Sequence, residues 1–239
     1  MELYTCDLLV YLGSASDQWV EEALKGEVDP DLTALPLMEA VADDLCAEEH
    51  DHDHEDHGHT DHDHGEYDEH IWLSLKKART LVHAIAHELG HLDPENADYY
   101  EANAEDYSQA LSALDEAYAA AVENAAYNTL VFADRFPFLY LTEDYGLHYE
   151  AAFPGCSAET EASFATIMHL AGVVEEQGLP ALLTIEGSDG SIARTVAEST
   201  GREELEILTL NSMQGKLEED DTYLSIMEEN LEVLKKALN

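Results

Sequence analysis

The chain has 239 residues, and 53 aspartates and glutamates against 10 lysines and arginines give it a formal charge of −43 with every histidine neutral. A charge of that sign excludes nucleic-acid binding through a basic face, and no apolar run approaches the roughly 18 residues that a membrane span needs. Hydrophobic residues make up 45%, enough for folded cores, while Cys6, Cys46 and Cys156 are too scattered, and odd in number, for a disulfide framework or a CxxC metal site.

In chain order, Asp7 to Leu12 (DLLVYL) is an apolar run ending at Gly13, the pattern of a buried strand. Ser16 and Asp17 offer an N-cap for a short helix over Gln18 to Lys25, closed by Gly26. Leu32 to Leu37 reads as an edge strand or a loop because of Pro36. From Asp43 to Glu69 almost nothing is apolar, and His50, His52, His54, His57, His59, His62 and His64 alternate with acids, the composition of a solvated loop.

A helix is expected from about Leu73 to His91, with Leu75, Leu81, Ile85 and Leu89 on its apolar side and Gly90 weakening its end. Asp93-Pro94-Glu95 then restarts a helix with Asp93 as N-cap and Pro94 at the first position. No Gly or Pro follows until Pro137, and Tyr100, Tyr107, Leu111, Leu114, Tyr118 and Val122 hold one stripe. That is one long helix, about 45 Å for about 30 residues.

Beyond it strands and helices alternate. Strands are expected at Leu130 to Phe132, Leu147 to Phe153, Ala181 to Ile185 and Leu205 to Leu210, and helices at Phe138 to Asp144, Glu159 to Gln177, Ser191 to Ser199 and Asp220 to Leu238. This alternation predicts βαβ units on a four-stranded parallel sheet. The expected fold class is therefore α/β: two lobes with parallel sheets joined by one long rigid helix, the first lobe incomplete because it shows one good strand and one doubtful one. The expected division is an N-terminal lobe over 1–92 with the histidine-rich loop at 43–69, a connecting helix over 93–127, and a C-terminal lobe over 128–239.

Three features carry chemistry. Several neutral imidazoles on one segment bind Zn²⁺, Ni²⁺, Co²⁺ or Cu²⁺ without fixed geometry, and the interleaved carboxylates add oxygen ligands. His87-Glu88-Leu89-Gly90-His91 spells HExxH on a helix, the arrangement in which two histidines hold zinc and the glutamate acts as general base of a metallohydrolase. A polar helix face with surface histidines is the weightier reading of it, because five-residue motifs recur by accident in a histidine-rich chain. His70 stands where the polar loop meets Ile71 and Trp72; packing there would fix its ring, as a specific site requires, and a histidine of no function near a helix N-cap is the default alternative.

Taken in order, the opening CDLLVYLGSASDQW, the histidine–acid loop, DEHIWLSLKKA, DPENADYYEANAEDY, the long helix, FADRFPFLYLTEDYGL, GCSAETEASFATI and TIEGSDGSIA resemble the zinc and manganese ABC-transporter substrate-binding proteins of the ZnuA or cluster A-I type, over nearly the whole chain. The resemblance implies a metal held in a cleft between two lobes and delivered to an ABC importer membrane permease, without catalysis, by an extracellular or periplasmic and often lipid-anchored protein acting as a monomer. The transported ion is expected to be Zn²⁺, with Mn²⁺ and Ni²⁺ as alternatives; the imidazole-rich loop disfavours Mn²⁺ on softness.

Carried over by position, the resemblance implies His70 and Glu186 as ligands. A further family histidine falls on Ala133, so that only Asp134 remains in that segment, either as a third ligand or in an ion pair with Arg135. The family's first histidine and its leader sequence have no counterpart here, and the opening MELYTCD lacks the features of a signal peptide. The expectation is a chain whose natural N-terminus lies upstream, or else an intracellular metal buffer. A closed zinc site uses four ligands, so the missing segment, the loop from His50 to His64, or neither would complete the shell.

Overall fold

The computed structural model describes residues 5–26, 29–47, 67–155, 161–202 and 204–239, and the chain divides into two units, Met1–Ala113 and Leu114–Asn239. Both contain parallel β-structure with helical connections, so the fold is α/β as expected from the alternating pattern.

In the first unit the run DLLVYL forms β1 (Leu8–Tyr11), paired in parallel with β2 (Thr33–Pro36), Leu8 opposite Thr33 and Tyr11 opposite Pro36. Pro36 occupies the last position of its strand, where its missing N–H is not needed. The expectation of a buried β1 is corrected: it is partly exposed, Val10 by 38%, because β2 is its one partner among the described residues. Between the strands lie a short 3₁₀ turn (Ala15–Asp17) and α1 (Gln18–Leu24). Asp17 does not cap α1 with its side chain. Its Oδ2 instead accepts the backbone N–H groups of Leu12 (2.8 Å) and Gly13 (3.0 Å), closing the turn after β1. Gly13 has φ +82°, and a Cβ there would lie 2.8 Å from that of Pro36, so this turn admits glycine alone.

A 3₁₀ segment (Leu37–Asp44) buries Met38 and Val41 against α2 (Leu75–Leu92). α2 begins two residues later than its apolar pattern suggests. Ile71–Leu73 forms a separate 3₁₀ turn, and Ser74 caps α2 by accepting the Lys77 N–H at 3.0 Å. Gly90 does not end this helix; it lies within it, and a Cβ there would stand 3.3 Å from that of Ala97, so the glycine admits the start of the next helix. Asp93-Pro94-Glu95 likewise opens a 3₁₀ turn (Pro94–Asn96) ahead of α3 (Ala97–Glu123). The Asp93 carboxylate accepts from Asn96 Nδ2 (2.8 Å) and Tyr100 Oη (3.0 Å), and these bonds hold its pKa below the ordinary value.

α3 is the long helix expected from the breaker-free stretch, 27 residues or about 40 Å, and it begins in one unit and ends in the other. In the first unit the Arg79 Nε donates to Ser108 Oγ at 3.2 Å, tying α2 to α3.

The second unit holds β3 (Thr129–Phe136), α4 (Leu139–Tyr145), β4 (His148–Pro154), α5 (Phe164–Gln177), β5 (Ala181–Ile185), α6 (Ser191–Thr200), β6 (Glu206–Leu210) and α7 (Tyr223–Ala237). All four strands are parallel in the order β4-β3-β5-β6. Leu130, Phe132, Leu182 and Leu183 are buried to 1% or less, as in a sheet covered on both faces. One cluster packs Val131, Ala133 and Leu182 of the sheet against Leu170 and Val174 of α5 and Val196 of α6. The helix end at Gly146 (φ +65°) follows from the left-handed conformation a glycine allows.

The last turns of α3 belong to this unit. Tyr118 is fully buried, stacks on Tyr145 at 5.3 Å, and donates from its hydroxyl to the Met227 carbonyl at 2.6 Å. Tyr145 in turn donates to Asp115 at 2.8 Å. Burial raises both phenol pKa values, with the Asp115 carboxylate adding to the rise at Tyr145.

Candidate metal centre

In the first unit the site is built from the turn that precedes α2. Ile71 and Leu73 are buried and pin this turn, so the residue before them is drawn inside. His70 is fully buried, its ring 5.3 Å from that of Trp72. Asp68, 1% exposed, lies beneath it. The carboxylate faces the His70 Nδ1 at 3.1 and 3.2 Å and accepts the His70 backbone N–H at 2.9 Å. A carboxylate only accepts, so the proton sits on Nδ1 and Nε2 becomes the basic nitrogen. This carboxylate–imidazole arrangement is how metal-binding histidines are oriented and made more basic.

The two ends of the histidine-rich segment meet beside this pair. Ala47 and Tyr67 form an antiparallel bridge, and Asp68 N–H donates to the Cys46 carbonyl at 3.0 Å. His50, His52, His54, His57, His59, His62 and His64 themselves lie outside the described residues. His64 is six residues from His70, a reach of at most about 20 Å.

In the second unit, the connection from β3 runs to β4 on one side and the chain then crosses back to β5 on the other. The carboxyl ends of β3 and β5 therefore form a switch point, where ligands of open α/β sheets bind. Glu186 follows β5 directly, and Asp134 lies near the end of β3. The sequence pattern ends this strand at Phe132, but the structure carries it to Phe136 through an irregularity between Phe132 and Arg135. Asp134 is therefore a residue of the strand. Its Oδ1 accepts the backbone N–H of Arg135 at 2.9 Å. Ala133, at the position of the family histidine, is 1% exposed and serves the apolar cluster.

Glu186 is half-buried and heavily held. Its Oε1 accepts from Ser212 Oγ (2.8 Å), Gln214 N–H (2.9 Å) and Gly215 N–H (2.9 Å), and its Oε2 accepts the Ser212 N–H (2.7 Å). The loop supplying these donors is itself fixed by Asn230, which bonds both the N–H and the carbonyl of Asn211 at 2.8 Å. Met213 sits at φ +60° within it. Burial pushes the Glu186 pKa up, but the bonds from Ser212, its own backbone and Gly215 outweigh this and hold it below its ordinary value of 4.5. Folding thus favours the ionised form. The resulting stability is fully present above the unfolded-state pKa and is lost as pH falls through the folded one. The stability gap between wild type and Glu186→Gln, measured by denaturant unfolding at stepped pH, is expected to shrink as pH falls below about 4.5.

The HExxH residues occupy the exposed end of α2, all within the first unit. The His87 and His91 Nε2 atoms are 3.2 Å apart, and Glu88 Oε1 stands 3.5 Å from the opposite nitrogen of His87, Nδ1. Among the described residues no three His, Cys, Asp or Glu side chains converge as a ready metal shell. His70 and Glu186 stand in different units. Residue patterns point neither to Asp68 nor to the Ser212–Gly215 donors; the spacing Asp68-x-His70 ahead of a buried turn is the available signal for the first.

The family model described as zinc-uptake complex component A, periplasmic (ZnuA), matches residues 1–237. The zinc-binding lipoprotein AdcA of Streptococcus pneumoniae is 31% identical over 245 residues, covering 99% of this chain and 46% of AdcA. The high-affinity zinc uptake system protein ZnuA of Bacillus subtilis is 29% identical, covering 97% and 72%. The chain thus spans about half the length of the AdcA relative it matches. The Zn(II)-bound ZnuA-like domain of S. pneumoniae AdcA superposes with a TM-score of 0.74 at 26% identity, covering 99% of this chain and 82% of that one.

Proposed function

This chain belongs to the ZnuA family of zinc-uptake components, and from that premise we propose that it captures Zn²⁺ as cargo for an ABC importer in the membrane. The observation that carries the reading is the buried Asp68–His70 pair, which sets one imidazole with Nε2 as its basic nitrogen. His70 and Glu186 are the proposed principal ligands, with Asp134 as a further oxygen donor. Oε2 of Glu186 accepts the Ser212 N–H, while Oε1 takes three of the loop's donors.

The histidines from His50 to His64 are proposed as a collecting segment, whose ends are joined within three residues of His70. Several imidazoles with adjacent acids favour Zn²⁺ over harder ions. The proposed role is capture and delivery outside the cytoplasm, with no catalytic step. Among the described residues, no helix is long and apolar enough to cross a membrane.

Calorimetric titration with Zn²⁺ tests the reading. Replacing all seven loop histidines with serine is expected to remove the weaker equivalents and to leave the tightest one. Loss of the tightest site in that variant would place the cargo in the loop and overturn the ligand assignment.

A further inference from the structure

The HExxH residues at the end of α2 are not used by the proposed cargo site. Residues four apart on a helix share one face, and His87 and His91 use that spacing to bring Nε2 against Nε2 at 3.2 Å, their rings 4.4 Å apart and steeply inclined at 68°. Two nitrogens bound tetrahedrally to one zinc at 2.0–2.1 Å are separated by about 3.3–3.4 Å. The two imidazoles already stand within about 0.2 Å of that spacing, so an ion can replace the proton they share with little movement. The outer nitrogen of His87 has the Glu88 carboxylate nearby, Oε1 at 3.5 Å, an ion-pair distance that is not an orienting hydrogen bond.

The surroundings fit a cation. An open pocket of about 280 Å³ is lined by Ala86, His87, Gly90, His91, Asp98 and Glu101 among others, so two acidic residues from the start of α3 lie near the two imidazoles without joining them in a ready shell. Glu101 also reaches His83 Nδ1, one turn earlier on α2, at 3.6 Å. Gly90 is what lets α3 come so near.

We propose that His87 and His91 form a second, surface site for a borderline divalent cation of the Zn²⁺, Ni²⁺ or Cu²⁺ class, its remaining positions taken by water. Glu88 lies on the outer side of the His87 ring, away from the Nε2 atoms that would hold the ion. Because it lies wholly within the first unit, it is independent of Glu186.

Zn²⁺ titration of the full chain with ¹³C-labelled histidine, followed by NMR, tests this ring by ring, with the signals of His87 and His91 assigned through His87→Gln and His91→Gln. Both side chains are on the surface, and the remaining spectrum verifies that each variant is folded. The expected result is that the two signals change together along one saturation curve, and that in either variant the surviving ring binds Zn²⁺ about tenfold or more weakly. Rings that respond separately with unchanged affinity in the variants, or that stay silent once the other sites are filled, would overturn the proposal.

Discussion

His70→Ala is expected to lower affinity for the tightest Zn²⁺ by about a hundredfold or more and to destabilise the first unit at the same time. The affinity loss follows from removing a nitrogen ligand whose partner carboxylate alone is worth roughly ten- to a hundredfold. The stability loss has a separate origin. Asp68 is 1% exposed and holds the Nδ1 of His70 through both oxygens, so the substitution leaves a buried carboxylate short of a donor at a cost of about 1–3 kcal/mol. Asp68→Asn separates the two effects. Its amide oxygen can still accept from Nδ1, so the ring stays in place while the basicity of Nε2 drops, and affinity is expected to fall about tenfold with a smaller change in unfolding. Competition with a zinc chelator and denaturant unfolding on the same samples read the two quantities independently. Unchanged affinity in both variants would remove His70 from the site.

Glu186→Gln is expected to cost about 1–3 kcal/mol in the second unit and to weaken Zn²⁺ binding as well. The carboxylate accepts four hydrogen bonds from Ser212, Gln214 and Gly215, and bonds to an ionised acceptor are roughly twice as strong as neutral ones. An amide puts a donor against at least one of these donors, leaving a buried polar group unmet. The loop has little freedom to adjust. A Cβ on Gly215 would lie 2.8 Å from Glu186 Cγ, and the buried Asn230 fixes the Asn211 end through both backbone groups. A purely structural role for Glu186 would change unfolding and leave Zn²⁺ affinity alone; the proposed double role changes both.

Much of the fold could be read from residue patterns because those patterns are local. β5 appears at the expected residues Ala181–Ile185, an apolar run between turn formers. The long helix follows from the absence of Gly and Pro between Pro94 and Pro137. Where expectation and structure part, a longer-range interaction decides. β3 continues past Phe132 although Asp134 and Arg135 break its apolar run, because β4 pairs with Arg135 and Phe136. Gly90 reads as a helix stop, yet its role is set by Ala97 on the following helix.

The site divides in the same way. His70 and Glu186 are proposed from their positions alone; the groups that hold them are not legible there. Asp68 matters only because the turn at Ile71–Leu73 folds the chain over it. The donors to Glu186 come from 26 to 29 residues downstream, beyond any local pattern. The HExxH spelling reads most simply as a polar helix face, and the structure adds that its glutamate lies 3.5 Å from the outer nitrogen of His87.

Anomalous diffraction at the zinc edge, from crystals of the protein loaded with one equivalent of Zn²⁺, tests the central claim most directly. The account predicts one dominant peak at about 2.0–2.2 Å from His70 Nε2 and from a Glu186 carboxylate oxygen. A dominant peak bound only by histidines of the 50–64 segment, or by His87 and His91, would contradict it.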